Sequence, residues 1–476
     1  MQWVFLPSDV VMAAIAALLA AAVLWIRRSK PLRAKWRRVF SDRAAAASAA
    51  LLAAFFAVAL LDSVHYREAL PPSGAPGAAQ AYAPQVKSAL DLFIRSGLGA
   101  AGEERSYSSP FAMKEWDRTS TVRDGRVVRD RQPLRHAGEA ALGGRSPGLT
   151  FVKRSLIAAI AGGVSAALFW IAAGALLARR RGVGFAEGVA LLKNRDGSFP
   201  WRSAMAVGTV LWMVGVWLAL VWPLWHVMGT DAVGSDVLYE ALKSIRTAFV
   251  IGVLATVSML PFAIFFGMAA GYFRGWVDDL VQYLYTTISS VPSVLLIAAS
   301  VLMATVFLDK HPEFFETSLE RADLRLMMLA CIIGVTGWST LARLLRAETM
   351  KVASLDFVRS AKAQGVGSAG ILMRHVLPNV LHIVLVVTVL DFSGIVLYEA
   401  VLSYVGVGVD PVMHSFGTMI NAARSEMSRS PMIWWNLAAS FLFLGVLVLS
   451  ANLFASAVRD AFDPRSVRRG EGGQDV

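Results

Sequence analysis

A single cysteine, Cys331, occurs in 476 residues, and no glycine is followed by lysine anywhere. The lone cysteine excludes an intrachain disulfide, and inside an apolar run it reads as packing. Without Gly-Lys there is no Walker A loop, in which backbone amides and a lysine cradle phosphates. Any use of ATP must pass through a partner. The seven histidines are scattered, which leaves no ligand spacing for zinc and predicts no metal site. No catalytic constellation emerges, so the chain is expected to be non-catalytic and to hold no cofactor. No internal repeat is evident either.

Charge is sparse at 17%, while hydrophobic residues reach 56%, above the roughly 45–50% of soluble domains. Crossing ~30 Å of hydrocarbon takes about 20 residues, or about 17 at the short end. Nine runs qualify: 10–26, 44–61, 155–178, 205–225, 248–273, 281–308, 327–346, 380–408 and 436–457. The first is followed, not preceded, by Arg27, Arg28 and Lys30, the reverse of a cleaved signal peptide. The chain is expected to be polytopic.

A net charge of +12 would suit nucleic acid, but its distribution argues otherwise. Segments 27–43, 179–202, 274–280, 343–376 and 459–476 hold twenty-five of the Lys and Arg, whereas loops 226–247, 309–325 and 409–435 hold seven. The other fourteen lie in 62–154, a segment too long to count in a positive-inside argument. The bias puts the N-terminus outside and the C-terminus in the cytoplasm.

The expected fold is an all-α polytopic membrane protein. Two transmembrane helices occupy 1–61, an extracytoplasmic insertion 62–154, and a third extra helix with a cytoplasmic loop 155–202. A six-span core fills 203–458, and 459–476 is a cytoplasmic tail. The insertion is expected to be a small α+β unit. Within it Leu70-Pro-Pro-Ser-Gly-Ala-Pro-Gly reads as a linker, Leu90, Phe93 and Ile94 stand at helical spacing, and Asp124-Gly125 marks a hairpin. From Asp236 to about Arg246 an interfacial helix is expected, capped by Ser235, with Val237, Leu238, Ala241, Leu242 and Ile245 as its apolar face.

The most specific stretch is Val358–Asn379, VRSAKAQGVGSAGILMRHVLPN. Its helical pattern stops at Gly365-Val366-Gly367, Ser368 can cap a second helix, and Pro378 should break that helix. Arg359, Lys362, Arg374 and His375 cannot sit unpartnered in hydrocarbon. The stretch must therefore meet a partner in water.

Here the chain resembles a family. Ser360, Ala361, Gly365, Leu377 and Pro378 match the coupling loop of permease subunits of bacterial ABC importers. Arg359 stands where that loop's usual glutamate would be, as in the dipeptide/oligopeptide branch. Gly229-Thr-Asp-Ala-Val-Gly-Ser-Asp-Val-Leu238 is similar to that branch's GTDxxGRDVL segment, with Ser235 replacing Arg. Val458-Arg-Asp-Ala-Phe-Asp-Pro-Arg465 resembles its RDALDPR ending. Together the three stretches cover roughly 203–469, and residues 1 to about 200 have no counterpart in the typical member.

The resemblance implies an inner-membrane permease for peptides or related solutes. Its implied partners are a second homologous permease, two cytoplasmic ATPases that bind the ATP, and an extracytoplasmic binding protein. The 351–378 loop, through Arg359, Ser360, Ala361, Gly365, Leu377 and Pro378, would couple to the ATPases. In the eighth span, Asp391 and Glu399 are costly in hydrocarbon and lie ~80° apart around a helix. They are candidates for the translocation path, with Pro292 as a kink in the sixth span. Thr230, Asp231 and Asp236 are candidates for an outer gate. The rival readings are an ion-coupled secondary transporter and a non-transporting scaffold. The first would need charged residues in several facing spans and inverted repeats, and the second leaves the coupling loop unexplained.

Overall fold

The computed structural model describes residues 2–70, 82–100, 102–123, 126–185, 187, 200–315 and 317–462. The chain opens on strand β1 (Gln2–Val4), then helices α1 (Pro7–Arg28), α2 (Lys30–Val39) and α3 (Arg43–Asp62), strands β2 (His65–Ala69) and β3 (Tyr82–Ser88), and the short α4 (Ala89–Leu92). The hairpin β4 (Thr119–Arg123) and β5 (Arg126–Asp130) leads to α5 (Glu139–Leu142), α6 (Pro147–Arg181) and α7 (Trp201–Val221). There follow α8 (Val237–Phe273), α9 (Gly275–Ser290), α10 (Ser293–Lys310), α11 (Ser318–Gly337), α12 (Ser339–Ala353), α13 (Asp356–Ala363), α14 (Ser368–Ile371) and α15 (Leu377–Tyr404). Helices α16 (Phe416–Met427) and α17 (Trp435–Phe462) close the described chain.

Among the described residues, eight helices are long and apolar enough to cross a membrane, and α11 with α12, bent by 40°, makes a ninth span if counted as one. The count agrees with the sequence; several boundaries do not. No breaker stands between Arg246 and Ala248, so the expected interfacial helix runs on as the 37-residue α8. At 1.5 Å per residue α8 is about 56 Å long, well beyond the hydrocarbon thickness. It is capped by Asp236, not Ser235: the Asp236 Oδ1 accepts from the Leu238 and Tyr239 amides at 2.9 and 3.2 Å. The expected 281–308 span is interrupted. Val291, extended at φ −89°, ψ 132° because it precedes proline, ends α9, and Pro292 stands at the start of α10. Pro292 therefore separates two helices instead of kinking one.

The insertion is α+β, with its N-terminal strand supplied from outside it. β1 pairs antiparallel with β2, and β2 with β3, so the first residues of the chain complete the sheet. The hairpin forms where expected, with Arg123 opposite Arg126. Its turn, Asp124-Gly125, lies outside the described residues, as does the expected linker beyond Leu70. Leu90 and Ile94 are buried, whereas Phe93 is exposed.

The chain divides into two compact units. One comprises the residues up to Asp9, 23–247 and 414–454. In it Leu90, Ile94, Trp222 and Leu238 form one core cluster, and Leu142, Val221, Leu224 and Trp225 another. The second comprises 10–22, 248–413 and 455 onward. Its core holds Met259, Ala263, Leu341, Leu345, Val358, Ala361, Ile371, Val376 and Val380. Glycines let α8 pack closely there. A Cβ on Gly271 would lie 2.6 Å from the Arg346 carbonyl oxygen.

Candidate functional site

The second unit carries the segment 356–378. Val358 and Ala361 of α13 and Ile371 of α14 are buried in the core with Leu345 and Val352 of α12. One side of each short helix is thus fixed to its own chain. The other is open: Leu355, Phe357 and Met373 are 48%, 44% and 60% exposed, and Arg359, Ser360, Lys362 and Arg374 are exposed as well. The Phe357 and His375 rings lie 6.3 Å apart, linking the exposed side of α13 to the turn beyond α14.

The reversal between these helices is a Schellman motif. The Gly365 amide donates to the Lys362 carbonyl and the Val366 amide to the Ala361 carbonyl, both at 3.1 Å. Gly365 adopts φ +81°, and a Cβ there would meet nothing within 4 Å. Its requirement is conformational. Gly367, not Ser368, is the N-cap of α14, and no side chain caps it. Nor does Pro378 break the helix. Residues 372–376 form a π turn, with the Leu377 amide donating to the Leu372 carbonyl, and α15 continues from it with Pro378 in its first turn. Proline is tolerated there because a first-turn N–H has no intrahelical partner.

Of the path candidates, Asp391 is half-buried and Glu399 is 1% exposed. Glu399 accepts from the Ser403 hydroxyl at 2.7 Å, and Ser403 accepts from the Val409 amide at 3.1 Å. Glu399 thus braces the turn after α15. Tyr398, seven residues beyond Asp391 and so on the same helix face, donates to Ser293 at 2.5 Å, immediately after Pro292. Near the same break Arg343 donates to Ser289 at 3.0 Å and stands 4.7 Å over the Tyr285 ring. Sequence reading missed this polar strip, because single serines carry no spacing signal.

In the first unit, the buried Thr230 and Asp236 and the half-buried Asp231 form a clamp on the insertion. Thr230 accepts from the Ser108 amide at 2.7 Å and donates to the Ser106 carbonyl at 2.8 Å. Asp231 accepts from the Val233 and Ser235 amides at 3.0 and 2.7 Å, and burial pushes its carboxyl up. Asp236 accepts from Trp222 Nε1 at 2.9 Å and pairs with His226 Nδ1 at 2.7 Å. Glu104 of the insertion meets His226 Nε2 at 3.4 Å and accepts from the amides of Arg135 and His136. Burial opposes the charge on His226, but bonds to Asp236 and Glu104 outweigh it and raise its pKa to about 9. Burial likewise opposes the Glu104 charge, and its partners lower it to about 2.

Two glycines make the clamp possible. Gly229 and Gly234 adopt φ +74° and +83°, and a Cβ on Gly234 would collide with the Glu104 carbonyl. A second network ties α8 to the N-terminal helices. Arg246 Nη2 donates to Asp9 Oδ1 at 2.7 Å, and Asp9 pairs with His65 at 2.8 Å. Asp91 accepts from the Tyr239 hydroxyl at 2.7 Å and pairs with Lys243 at 3.0 Å.

The exposed segment after a membrane helix, with its left-handed glycine and basic-apolar face, is the feature to compare with known proteins. Residues 263–468 match the family of binding-protein-dependent transport system inner membrane components. The oligopeptide transport system permease protein OppC of Mycobacterium tuberculosis (strain ATCC 25618 / H37Rv) is 32% identical over 247 residues, 52% of this chain and 78% of that protein. The chain belongs to this permease family. OppC of Haemophilus influenzae is 28% identical over 51% of this permease and 71% of its own length. The dipeptide transport system permease protein DppC of Lactococcus lactis subsp. cremoris is 28% identical over 51% of this chain and 64% of its own length. Membership makes the chain a multi-span inner-membrane transport subunit and implies ATPase and substrate-binding partners. The matched family region begins within α8, so α1–α7 precede it.

Proposed function

We propose that this permease imports peptides or related small solutes, in a complex with a second homologous permease, two ATPases and an extracytoplasmic binding protein. The peptide assignment rests on the oligopeptide and dipeptide permeases that it resembles. ATP binds to the partner subunits, and the permease supplies no catalytic group or cofactor. Its N-terminus lies outside and its C-terminus in the cytoplasm, in keeping with the Lys and Arg distribution.

The exposed side of 356–376 carries the coupling role. A helix fixed to its own core by Val358 and Ala361, yet presenting Phe357, Arg359 and Lys362 to water, can transmit force without being deformed. ATPase closure would pull this segment and shift the population between outward-open and inward-open states. The small exposed Ser360 allows close approach, the buried Ala361 seats α13 on its own core, Gly365 sets the reversal, and Leu377 and Pro378 join the segment to α15. Along the path, Asp391 and the Ser293–Tyr398 pair beside Pro292 face the solute, while Glu399 supports the turn after α15. At the outer end, Thr230, Asp231 and Asp236 hold the start of α8 as part of the gate.

Purification of the tagged chain from its native membrane tests the proposal. ATPase subunits and a peptide-binding protein should co-purify, and Phe357→Asp should release the ATPases while leaving the chain folded. Retention of the ATPases by Phe357→Asp would refute the coupling assignment.

A further inference from the structure

Helix α2 lies outside the matched family region 263–468, and its chemistry is distinctive. Residues 27–43 hold eight Lys and Arg against the single acid Asp42. That acid is already engaged, since its side chain caps α3 by accepting from the Ala45 amide at 3.0 Å. Arg27, Arg28, Lys30, Arg33, Arg37 and Arg38 are all exposed, and none has a carboxylate partner among the described residues.

Chain geometry fixes where this charge lies. Only Ser29 separates α1 from α2, and only 40–42 separate α2 from α3. Both α1 and α3 are long and apolar enough to span a bilayer. A ten-residue helix of about 15 Å between two such spans must run along the membrane surface. Its other side is anchored. Leu32, Trp36, Val39 and Phe40 recur at helical spacing, Val39 is 1% exposed, Trp36 stacks on Phe454 of α17 at 6.4 Å, and the Phe40 ring lies tilted against Phe454 at 6.2 Å. One stripe of α2 is therefore held by the protein, and the cations remain at headgroup level.

We infer that α2 is a binding surface for anionic phospholipid headgroups. A cluster of basic side chains beside a membrane span attracts anionic lipid by about fivefold in affinity for each Lys or Arg at the surface. Guanidinium groups add paired donors to phosphate oxygens. The site sits on α2 and its flanks, not on the coupling segment, and it is independent of which solute is carried.

The full chain in mild detergent, offered phosphatidylglycerol or phosphatidylcholine and scored by native mass spectrometry, provides the test. Phosphatidylglycerol should be retained in clear preference. Lys30→Gln/Arg33→Gln/Arg37→Gln/Arg38→Gln should weaken that retention by roughly several hundredfold, while Arg33→Lys/Arg37→Lys/Arg38→Lys keeps most of it. Inorganic phosphate should fail to displace the lipid. Equal retention of the two lipids, unchanged retention in the Gln variant, or displacement by inorganic phosphate would each overturn the inference. So would an acidic protein lost from the Gln variant while lipid retention stayed constant. If the Gln variant does not fold, the unaltered chain still decides. Its preference must fall as salt rises, because exposed charges are screened, and a salt-independent preference would count against the site.

Discussion

The coupling segment and the insertion clamp both place glycine in the left-handed region, for different reasons. Gly365 ends α13 in open space, so it is required by backbone geometry alone. Gly234 sits against the Glu104 carbonyl and Gly229 against the Ser108 carbonyl, so they are required by backbone geometry and by close packing with a distant segment. The first glycine shapes a surface offered outward, and the other two seal an interior. Substitutions should therefore act differently in the two regions: on partner binding in one, on folding in the other.

The largest effect is expected in the buried network beside the clamp. Arg246→Met leaves Asp9 buried with His65 as its remaining ionisable partner, and loss of a buried ion-pair partner costs roughly 3–5 kcal/mol. Thermal unfolding of the purified chain should show it as a steep fall in midpoint. Next comes Gly234→Ala. Left-handed strain and overpacking together cost about 3 kcal/mol, and limited proteolysis should open the 102–115 segment. A Gly234→Ala chain as resistant as the parent would remove the distinction between the two kinds of glycine. Smaller again is Gly365→Ala, at about 1–2 kcal/mol of strain alone. It should leave the unfolding midpoint of the first unit unchanged and weaken ATPase association.

The subtlest contrast is with pH. His226 binds its proton more tightly when folded, at about 9 against an ordinary 6.5. Its contribution is complete below about 6.5 and is lost as pH rises through about 9. Glu104 is depressed from 4.5 to about 2, so its contribution is complete above about 4.5 and is lost as pH falls towards 2. Hydrogen exchange at the Glu104 amide, which donates to the Gly234 carbonyl at 2.9 Å, should be slowest between about pH 4.5 and 6.5 after correction for intrinsic rates. The coupling segment contains no such pair, and its protection should not follow this profile.

The same contrast explains what could be read from residues alone. The reversal at Gly365 was legible because a Schellman cap is local: glycine, a preceding helix and an apolar Val366 lie within six residues. The Asp124-Gly125 hairpin was legible for the same reason. Membrane spans announce themselves by length, so their number emerged while the start of 248–273 and the break within 281–308 did not. Local signs misled at Pro378, where a π turn carries the helix on into α15. They misled at Ser235 too, where Asp236 takes the cap and its other oxygen holds Trp222 and His226. Partners separated by more than a hundred residues left no trace at all: Glu104 with His226, Asp9 with Arg246, and Asp91 with Lys243. The same holds for β1, whose three residues gain meaning only once β2 lies beside them.

Coupling through the exposed side of 356–376 is the central claim, and site-directed cross-linking in the assembled complex tests it most directly. Cys331→Ser removes the native thiol, and Phe357→Cys places a single one on that side. With a short thiol-reactive cross-linker, the account predicts a covalent product with an ATPase subunit whose yield changes on adding ATP. An absent ATPase product in a complex that still imports solute would contradict it.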